Sequence, residues 1–433
     1  MPNLTGRLIR SRRMLVVLTL ALALLVSPAL AQSSARLVAV GDVHGDYDAL
    51  VSILQQAALI DSKLNWSGKN ATLVQTGDLL DRGAKCRQVM DLIMKLEAEA
   101  PKSGGRVIVL MGNHEAMNII GDLRYAEAMY SSFADGNSER RRKAAYDAYA
   151  AWRRERTQAG VLPANGGTSD EATWMAAHPL GYVEQREAMS TSGNYGRWLR
   201  ARPAVAQVGT TLFLHGGISP EVAELARTPD NIVKRVQSEA AQFDHLMRVF
   251  VRQKTILPNF DLAETLGAVQ AELQFRKKNP GRLTADVASE KRQLDDLVEF
   301  TGFNGWFMVN PQGPLWFRGY ASWSDEEGKT QIAKVLEKLG VSQIVVGHTP
   351  QAGGRIAARF DGKVFLIDTG MLSSYYTGGR ASALEIAAGK YTAIYSDERI
   401  VLLDSSARHG EAVVPAGHEN QSYLYGEVPG GGV

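Results

Sequence analysis

The residues best able to do chemistry sit in five short stretches. Gly41-Asp42-Val43-His44-Gly45, Gly77-Asp78-Leu79-Leu80-Asp81-Arg82-Gly83, Gly112-Asn113-His114-Glu115, His215-Gly216-Gly217 and Gly347-His348-Thr349-Pro350 each combine glycine with carboxylate, imidazole or amide groups. The second is the densest, with two carboxylates, an arginine and two glycines in seven residues. Taken alone it also reads as a solvated acidic turn. Recurrence gives it weight: of eight histidines, His44, His114, His215 and His348 lie at the ends of apolar runs near glycine, whereas His178, His245, His409 and His418 do not. Asp42, His44, Asp78, Asn113, His215 and His348 form a donor set without thiolate, which suits divalent ions such as manganese, iron or zinc. Six donors exceed the three or four that one zinc site takes. They suffice for two ions if one carboxylate bridges.

Strands must position these groups. Residues 36–40, 71–76, 106–110, 210–214 and 343–346 are short apolar runs, the pattern of strands covered on both faces. Each leads into one of the five stretches. Helical spacing at 48–58 and 88–99 separates the first three strands, and α/β sheets place their sites at the C-terminal ends of such strands. Two long insertions interrupt the pattern. The first, about 119–202, contains a charged, alanine-rich helix at 139–156, a loop at 165–168 and helical spacing at 182–189. The second, about 220–320, is helical over 221–252 and 262–276, where Arg276-Lys277-Lys278 reads as a solvated face. It ends in an aromatic, glycine-rich segment containing Pro314-Leu315-Trp316-Phe317-Arg318. A helix at 330–339 follows, then short strands with glycine turns to about 403, including the strand end 364–370 and a hairpin of 384–386 with 391–395.

The 433 residues are 45% hydrophobic and 22% charged, ordinary for a globular protein with a large core. Arg7, Arg10, Arg12 and Arg13, the apolar run 14–26 and Ala29-Leu30-Ala31 read as a secretory signal over 1–31. An uncleaved anchor is the other reading of that run, and Ser11-Arg12-Arg13-Met14-Leu15 partly matches a twin-arginine signal. Without residues 1–31, 44 of the 48 basic side chains remain against 46 acidic ones, a formal charge of −2. Such a balance gives no reason to expect nucleic acid or a stable membrane partner after cleavage. One cysteine, Cys86, excludes an internal disulfide and reads as buried and structural. The expected layout is therefore a signal (1–31), one domain (32–404) and a tail (405–433), exported to the periplasm or secreted.

GDVHG, GDLLDRG, GNHE, HGG and GHTP in this order resemble the calcineurin-like metallophosphoesterases. The first three narrow the likeness to the phosphoprotein-phosphatase branch, and insertions on both sides of HGG make it most similar to the bacterial Shewanella-like phosphatases. The resemblance implies an αββα sandwich of two mixed sheets, capped by the helical insertions. It implies two divalent ions, with Asp42 and His44 on the first, Asp78 bridging, and Asn113, His215 and His348 on the second. Relatives that read Gly-His-Thr-His where this chain has GHTP place the second histidine on the first ion; here that position is Pro350. The implied reaction is in-line attack of a metal-bridging hydroxide on a phosphomonoester. His114 would be the general acid and Asp81 its orienting partner. Arg82, Asn113 and a second arginine, Arg318 ahead of Arg197 and Arg200, would bind phosphate. Expected substrates are phosphoproteins (Ser/Thr or Tyr phosphate) or small phosphomonoesters. The alternatives are a hydrolase of diadenosine polyphosphates or other diesters and anhydrides, and a non-catalytic metal-binding module. Trp174, Tyr182, Tyr195, Trp198, Trp306 and Phe317 are expected mostly in the core, with one or two lining an aryl pocket.

Overall fold

The computed structural model describes residues 36–163, 170–280 and 287–406. The expected signal (1–31), the loop 165–168, most of the expected tail (407–433), and with it His409 and His418, lie outside the described residues. Along the chain run β1 (Leu37–Val40), α1 (Tyr47–Gln56), β2 (Thr72–Gln75), α2 (Cys86–Glu99), β3 (Arg106–Val109) and α3 (Asn113–Ile120). The first insertion carries α4 (Ser138–Gln158), α5 (Glu171–Ala177), α6 (Tyr182–Ala188) and α7 (Asn194–Arg200). Then come β4 (Val205–Val208) and β5 (Thr211–Leu214). The second insertion holds α8 (Pro220–Ala226), α9 (Pro229–Arg252), α10 (Leu262–Lys278), α11 (Val287–Thr301) and α12 (Gly319–Ser322). The chain closes with α13 (Asp325–Leu339), β6 (Gln343–Val346), β7 (Ala357–Arg359), β8 (Val364–Leu366), β9 (Ala383–Ala387), β10 (Lys390–Ile394) and β11 (Arg399–Asp404).

The strands form two mixed sheets, ordered β11-β10-β9-β1-β2-β3 and β4-β5-β6-β8-β7. β1, β2 and β3 pair in parallel, as do β5, β6 and β8. Antiparallel strands complete both sheets. Alternation along each strand explains the continuous apolar runs. Leu37, Ala39, Val74, Phe213, Val345 and Phe365 face the space between the sheets. Val38, Val40, Leu212, Leu214, Ile344 and Val346 face the helices. The two sheets therefore make a sandwich covered by helices, as expected.

Several element bounds differ from the sequence expectation. The run 221–252 is two helices, because Arg227 takes a left-handed φ of 65° and Pro229 begins α9. Helix α13 starts before residue 330, where the Ser324 hydroxyl caps it by accepting the Glu327 N–H at 3.2 Å. Strand β4 and helices α5, α7, α11 and α12 lie where no strand or helix was expected, whereas β7 and β11 fall among the short strands expected to about residue 403. Arg276 is a correction. It is buried, donating to Glu272 at 2.5 Å and Gln293 at 2.8 Å, and only Lys277 and Lys278 are exposed. The insertions pack on each other: the Tyr182 hydroxyl donates to the Asn259 carbonyl at 2.7 Å and Trp152 to that of Lys254 at 3.1 Å. Among the described residues, no helix is long and apolar enough to cross a membrane.

At the sandwich centre Phe365 stacks on Tyr391, with centroids 4.5 Å apart and planes 2° from parallel. Phe365→Ala should cost about 3–5 kcal/mol, since it opens a cavity between sheets that cannot collapse onto each other. Denaturant unfolding measures it.

Candidate active site

The strand ends of both sheets converge. Asp42 and His44 follow β1, Asp78, Asp81 and Arg82 follow β2, Asn113 and His114 begin α3, His215 follows β5 and His348 follows β6. Asp42, His44, Asp78, Asp81, Asn113, His114, His215 and His348 are all 4% exposed or less. The backbone here is strained. His44, Asp78, Asp81, Arg82 and His348 have φ of 47°, 59°, 68°, 67° and 69°, a region costly for residues with a Cβ and enriched at functional sites. Gly77, at φ 98°, lies so close to the backbone nitrogen of Gly112 that a Cβ would stand 2.5 Å from it.

One carboxylate holds this loop. Glu115 accepts the N–H groups of Asp78 at 2.7 Å, Leu79 at 2.8 Å and Gly112 at 2.8 Å. Gln75 adds a second brace, donating to the carbonyls of Gly41 at 3.2 Å and Gly77 at 2.6 Å. Asp78 Oδ1 in turn accepts the His114 N–H at 2.9 Å, at the first turn of α3, where a helix favours negative charge.

The histidine tautomers are set from outside the cluster. His44 Nδ1–H donates to the Leu80 carbonyl at 2.8 Å and His215 Nδ1–H to that of Thr76 at 3.0 Å. His348 Nε2–H donates to the Trp316 carbonyl at 3.0 Å. Each ring therefore turns a lone pair inward, the arrangement of metal-binding imidazoles. Around His215 Nε2 stand Asn113 Oδ1 at 2.8 Å, His348 Nδ1 at 3.1 Å and Asp78 Oδ2 at 3.3 Å. Acceptors that face one another in this way fit a shared cation. Among the described residues, two groups of histidine and carboxylate side chains have ligand atoms within 4.8 Å of one another, His44–Asp78–His114 and Asp78–His215–His348. Asp78 is common to both, where a bridging carboxylate was expected. Asp42 Oδ2 lies 3.9 Å from His44 Nε2, and the backbone N–H of His348 donates to Asp42 Oδ1 at 3.0 Å. Burial, then Asp368 and Asp78, push the Asp42 carboxyl well above its ordinary range. Burial, then His114, hold His44 well below its ordinary value and so neutral. Burial, then His215, do the same to His348. The donor set and its crowded carboxylates fit divalent cations.

His114 differs from the other histidines. Its Nδ1–H donates to Asp81 Oδ2 at 2.6 Å. Burial opposes its charge, but Asp78 and the Asp81 bond outweigh burial and raise its pKa. The upward shift favours the protonated ring, which would have no lone pair for a metal, and so fits His114 better as a proton donor than as a ligand despite its place in the first group. Arg82 meets His44 Nε2 and the Tyr376 hydroxyl through Nη1, and its buried Nε has no partner. Arg318 Nη1 donates to the His348 carbonyl at 2.9 Å and the Thr349 hydroxyl at 3.0 Å. The competing arginines are committed elsewhere: Arg200 bonds both oxygens of Asp244 at 2.7 and 2.9 Å, and Arg197 bonds the Ser192 carbonyl. Leu79, Leu80 and Cys86 are buried, and burial raises the Cys86 thiol well above its usual pKa.

The aromatic surroundings correct the sequence reading. Trp174, Tyr182, Tyr195 and Phe317 are buried, and Trp198 and Trp306 pack against the core. The rings at the site are instead Tyr125, Tyr375 and Tyr376, with centroids 5.4, 5.0 and 5.4 Å from the Arg82 guanidinium. Sequence reasoning also passed over Asp368. It is buried beside Asp42, its Oδ2 lacks a partner, and burial, then Asp78, raise its carboxyl to about 6. It follows β8 next to Thr369 and Gly370, the same strand-end pattern as the recognised acids.

Residues 35–352 match the calcineurin-like phosphoesterase family. The chain belongs to that family. Relatives of this calcineurin-like phosphoesterase include an uncharacterized protein of Schizosaccharomyces pombe, 29% identical over 81% of this chain and 76% of that protein. Shewanella-like protein phosphatase 1 of Plasmodium berghei is 23% identical over 78% of this chain and 67% of its own. Among solved structures, a cold-active protein-tyrosine phosphatase of a psychrophilic Shewanella superposes with a TM-score of 0.53 at 25% identity, covering 85% and 80% of the two chains.

The Glu115 clamp has a measurable weight. Glu115→Gln turns an amide donor toward N–H groups that need an acceptor, and should lower stability by roughly 2–3 kcal/mol. Metal bound per chain should fall with it, as read by urea unfolding and elemental analysis.

Proposed function

We propose that this metal-dependent phosphatase hydrolyses phosphomonoesters, with aryl phosphates such as phosphotyrosine as its preferred class. The observation that carries the reading is the buried Asp81–His114 pair at 2.6 Å, with the His114 ring beside Asp78 and His44. Monoester cleavage leaves a basic oxygen that needs a proton, and His114, whose pKa is raised by Asp78 and Asp81 against the effect of burial, lies one residue from Asn113. Asp42, His44 and Asp78 would hold one ion, and Asp78, Asn113, His215 and His348 the other. When bound, the ions polarise the phosphoryl group and lower the pKa of water. Manganese, iron and zinc all match the donors. Arg82 supplies a planar donor pair for the phosphoryl oxygens, and Arg318 lies against the opposite wall beside His348. Asp81 keeps the His114 ring turned so that Nε2–H faces the leaving oxygen, which takes that proton as the P–O bond breaks. Tyr125 and Tyr375 offer ring faces beside Arg82, which supports an aryl ester. The related Shewanella structure is a protein-tyrosine phosphatase.

Purified protein with added Mn²⁺ should hydrolyse 4-nitrophenyl phosphate, stop with chelator, and hold two ions by elemental analysis. Asp78→Asn should lower kcat by at least about 10³-fold and His114→Asn by about 10²–10⁴-fold. Undiminished activity in Asp78→Asn would overturn the reading. A panel of phosphotyrosine, phosphoserine and phosphothreonine peptides and diadenosine tetraphosphate should rank phosphotyrosine first.

Export is part of the proposal, supported by the basic, apolar and small-residue succession over 1–31. The two insertions are proposed to cap the site, since Tyr125 belongs to the first and Trp316 and Arg318 to the second. N-terminal sequencing of protein recovered from a periplasmic fraction should begin at Gln32.

A further inference from the structure

The two oxygens of Asp81 are held from different sides. Oδ2 takes the His114 Nδ1–H at 2.6 Å. Oδ1 takes an N–H of the Asn118 side chain, four residues along α3 from His114, at 2.9 Å. The same amide nitrogen donates to the His114 carbonyl, also at 2.9 Å. A carboxylate and a carbonyl can only accept, so both amide hydrogens are spent and the amide has one possible orientation. Asn118 Oδ1 must face away from Asp81, and there it accepts Nε2–H of Gln185 at 2.8 Å. Gln185 is fully buried on α6, within the first insertion. Next to it, Arg186 donates to the Asn118 carbonyl at 3.4 Å and the Phe260 carbonyl at 3.3 Å, tying α6 to both α3 and the second insertion.

We propose that Gln185 is a positioning residue for proton transfer. Through the Asn118 amide it fixes Asp81, and through Asp81 the direction of the His114 Nε2–H, so that the seat of the first insertion sets the alignment of the acid. The inference rests on the reading of His114 as the acid. Burying a row of amides costs free energy for each bond left unmade, and this row has a direction: Asp81 and the His114 carbonyl turn the Asn118 NH₂ toward them, the donor at residue 185 matches the oxygen left on the other side, and Gln185 Oε1 has no partner. Gln185→Glu keeps the shape but, when ionised, offers only acceptors. Asn118 can then bond residue 185 only by turning its NH₂ toward it. Its oxygen would then face Asp81 Oδ1 and the His114 carbonyl, and Asp81 would lose a donor and meet a repelling lone pair.

An acid matters in proportion to the basicity of the leaving oxygen. With Mn²⁺-loaded protein, kcat and KM are compared for phenyl phosphate, whose phenoxide is basic, and 2,4-dinitrophenyl phosphate, whose phenoxide leaves unaided. Gln185→Glu should lower kcat for phenyl phosphate by roughly 10–100-fold, lower that for the dinitrophenyl ester by less than about 3-fold, and leave both KM values in place. The ratio of the two rates does not depend on how much protein is folded. Gln185→Leu, which buries no charge, should show the same selectivity at smaller size. In an Asn118→Ala background Gln185→Glu should do no further selective harm, because the pair acts in series. An equal loss on both esters, or an additive double variant, overturns the proposal. Wild-type protein that cleaves neither ester would overturn the phosphatase reading itself, a separate outcome.

Discussion

A single buried carboxylate carries the loop on which the site depends. The β2 loop places Asp78, Asp81 and Arg82 in left-handed backbone, each at a conformational cost that the surroundings must offset. Glu115 meets that cost by accepting three backbone N–H groups from two loops, Asp78, Leu79 and Gly112. The bonds are desolvated, which strengthens them, while burial, then Asp78, push the Glu115 carboxyl up to about 7. They join the end of β2 to the start of α3, so Asp78, Asp81 and Arg82 are held as one piece. Gln75 extends the same piece to the β1 loop at Gly41.

The second half of the site belongs to the other sheet, and the join is made by ligands rather than by strand pairing. The His348 N–H reaches Asp42 and His215 Nδ1–H reaches the Thr76 carbonyl. The Phe213, Val345 and Phe365 side chains between the sheets hold the two sets of strand ends level. Cations at this join would draw the acceptors of both sheets together. They would also relieve the crowding of Asp42, Asp78 and Asp368 that pushes Asp42 upward. Folding and metal binding are linked for that reason.

The insertions are more than covers. Trp316 turns the His348 ring by accepting its Nε2–H, and Arg318 binds the carbonyl of the same residue. Tyr125 stands over both His114 and Arg82. Gln185 reaches the Asp81–His114 pair through Asn118. Substitutions far from the strand ends can therefore change chemistry through the orientation of a ring or an amide.

Taken alone, the amino-acid order determined the sandwich strands and the identity of the strand-end groups. Those properties are local: an apolar run of four or five residues, then glycine and a donor, survives reading one stretch at a time. Apart from the Asp81–His114 pair that the family resemblance implied, it determined little about partners that meet only after folding. Tyr375 and Tyr376 lie far along the chain from Arg82, in no motif, and packing alone brings them to it. Arg276 looked solvated in a basic triplet, yet Glu272 and Gln293 bury it across two helices. Asp368 had the right local pattern, but only its place beside Asp42 shows its charge to matter. The tertiary structure also decided which arginine stands at the site, because Asp244 claims Arg200 while Arg318 is held on the backbone of His348. Residue types set which chemistry is available; long-range packing sets which groups share one buried volume, and there a charge or a donor has to find its partner.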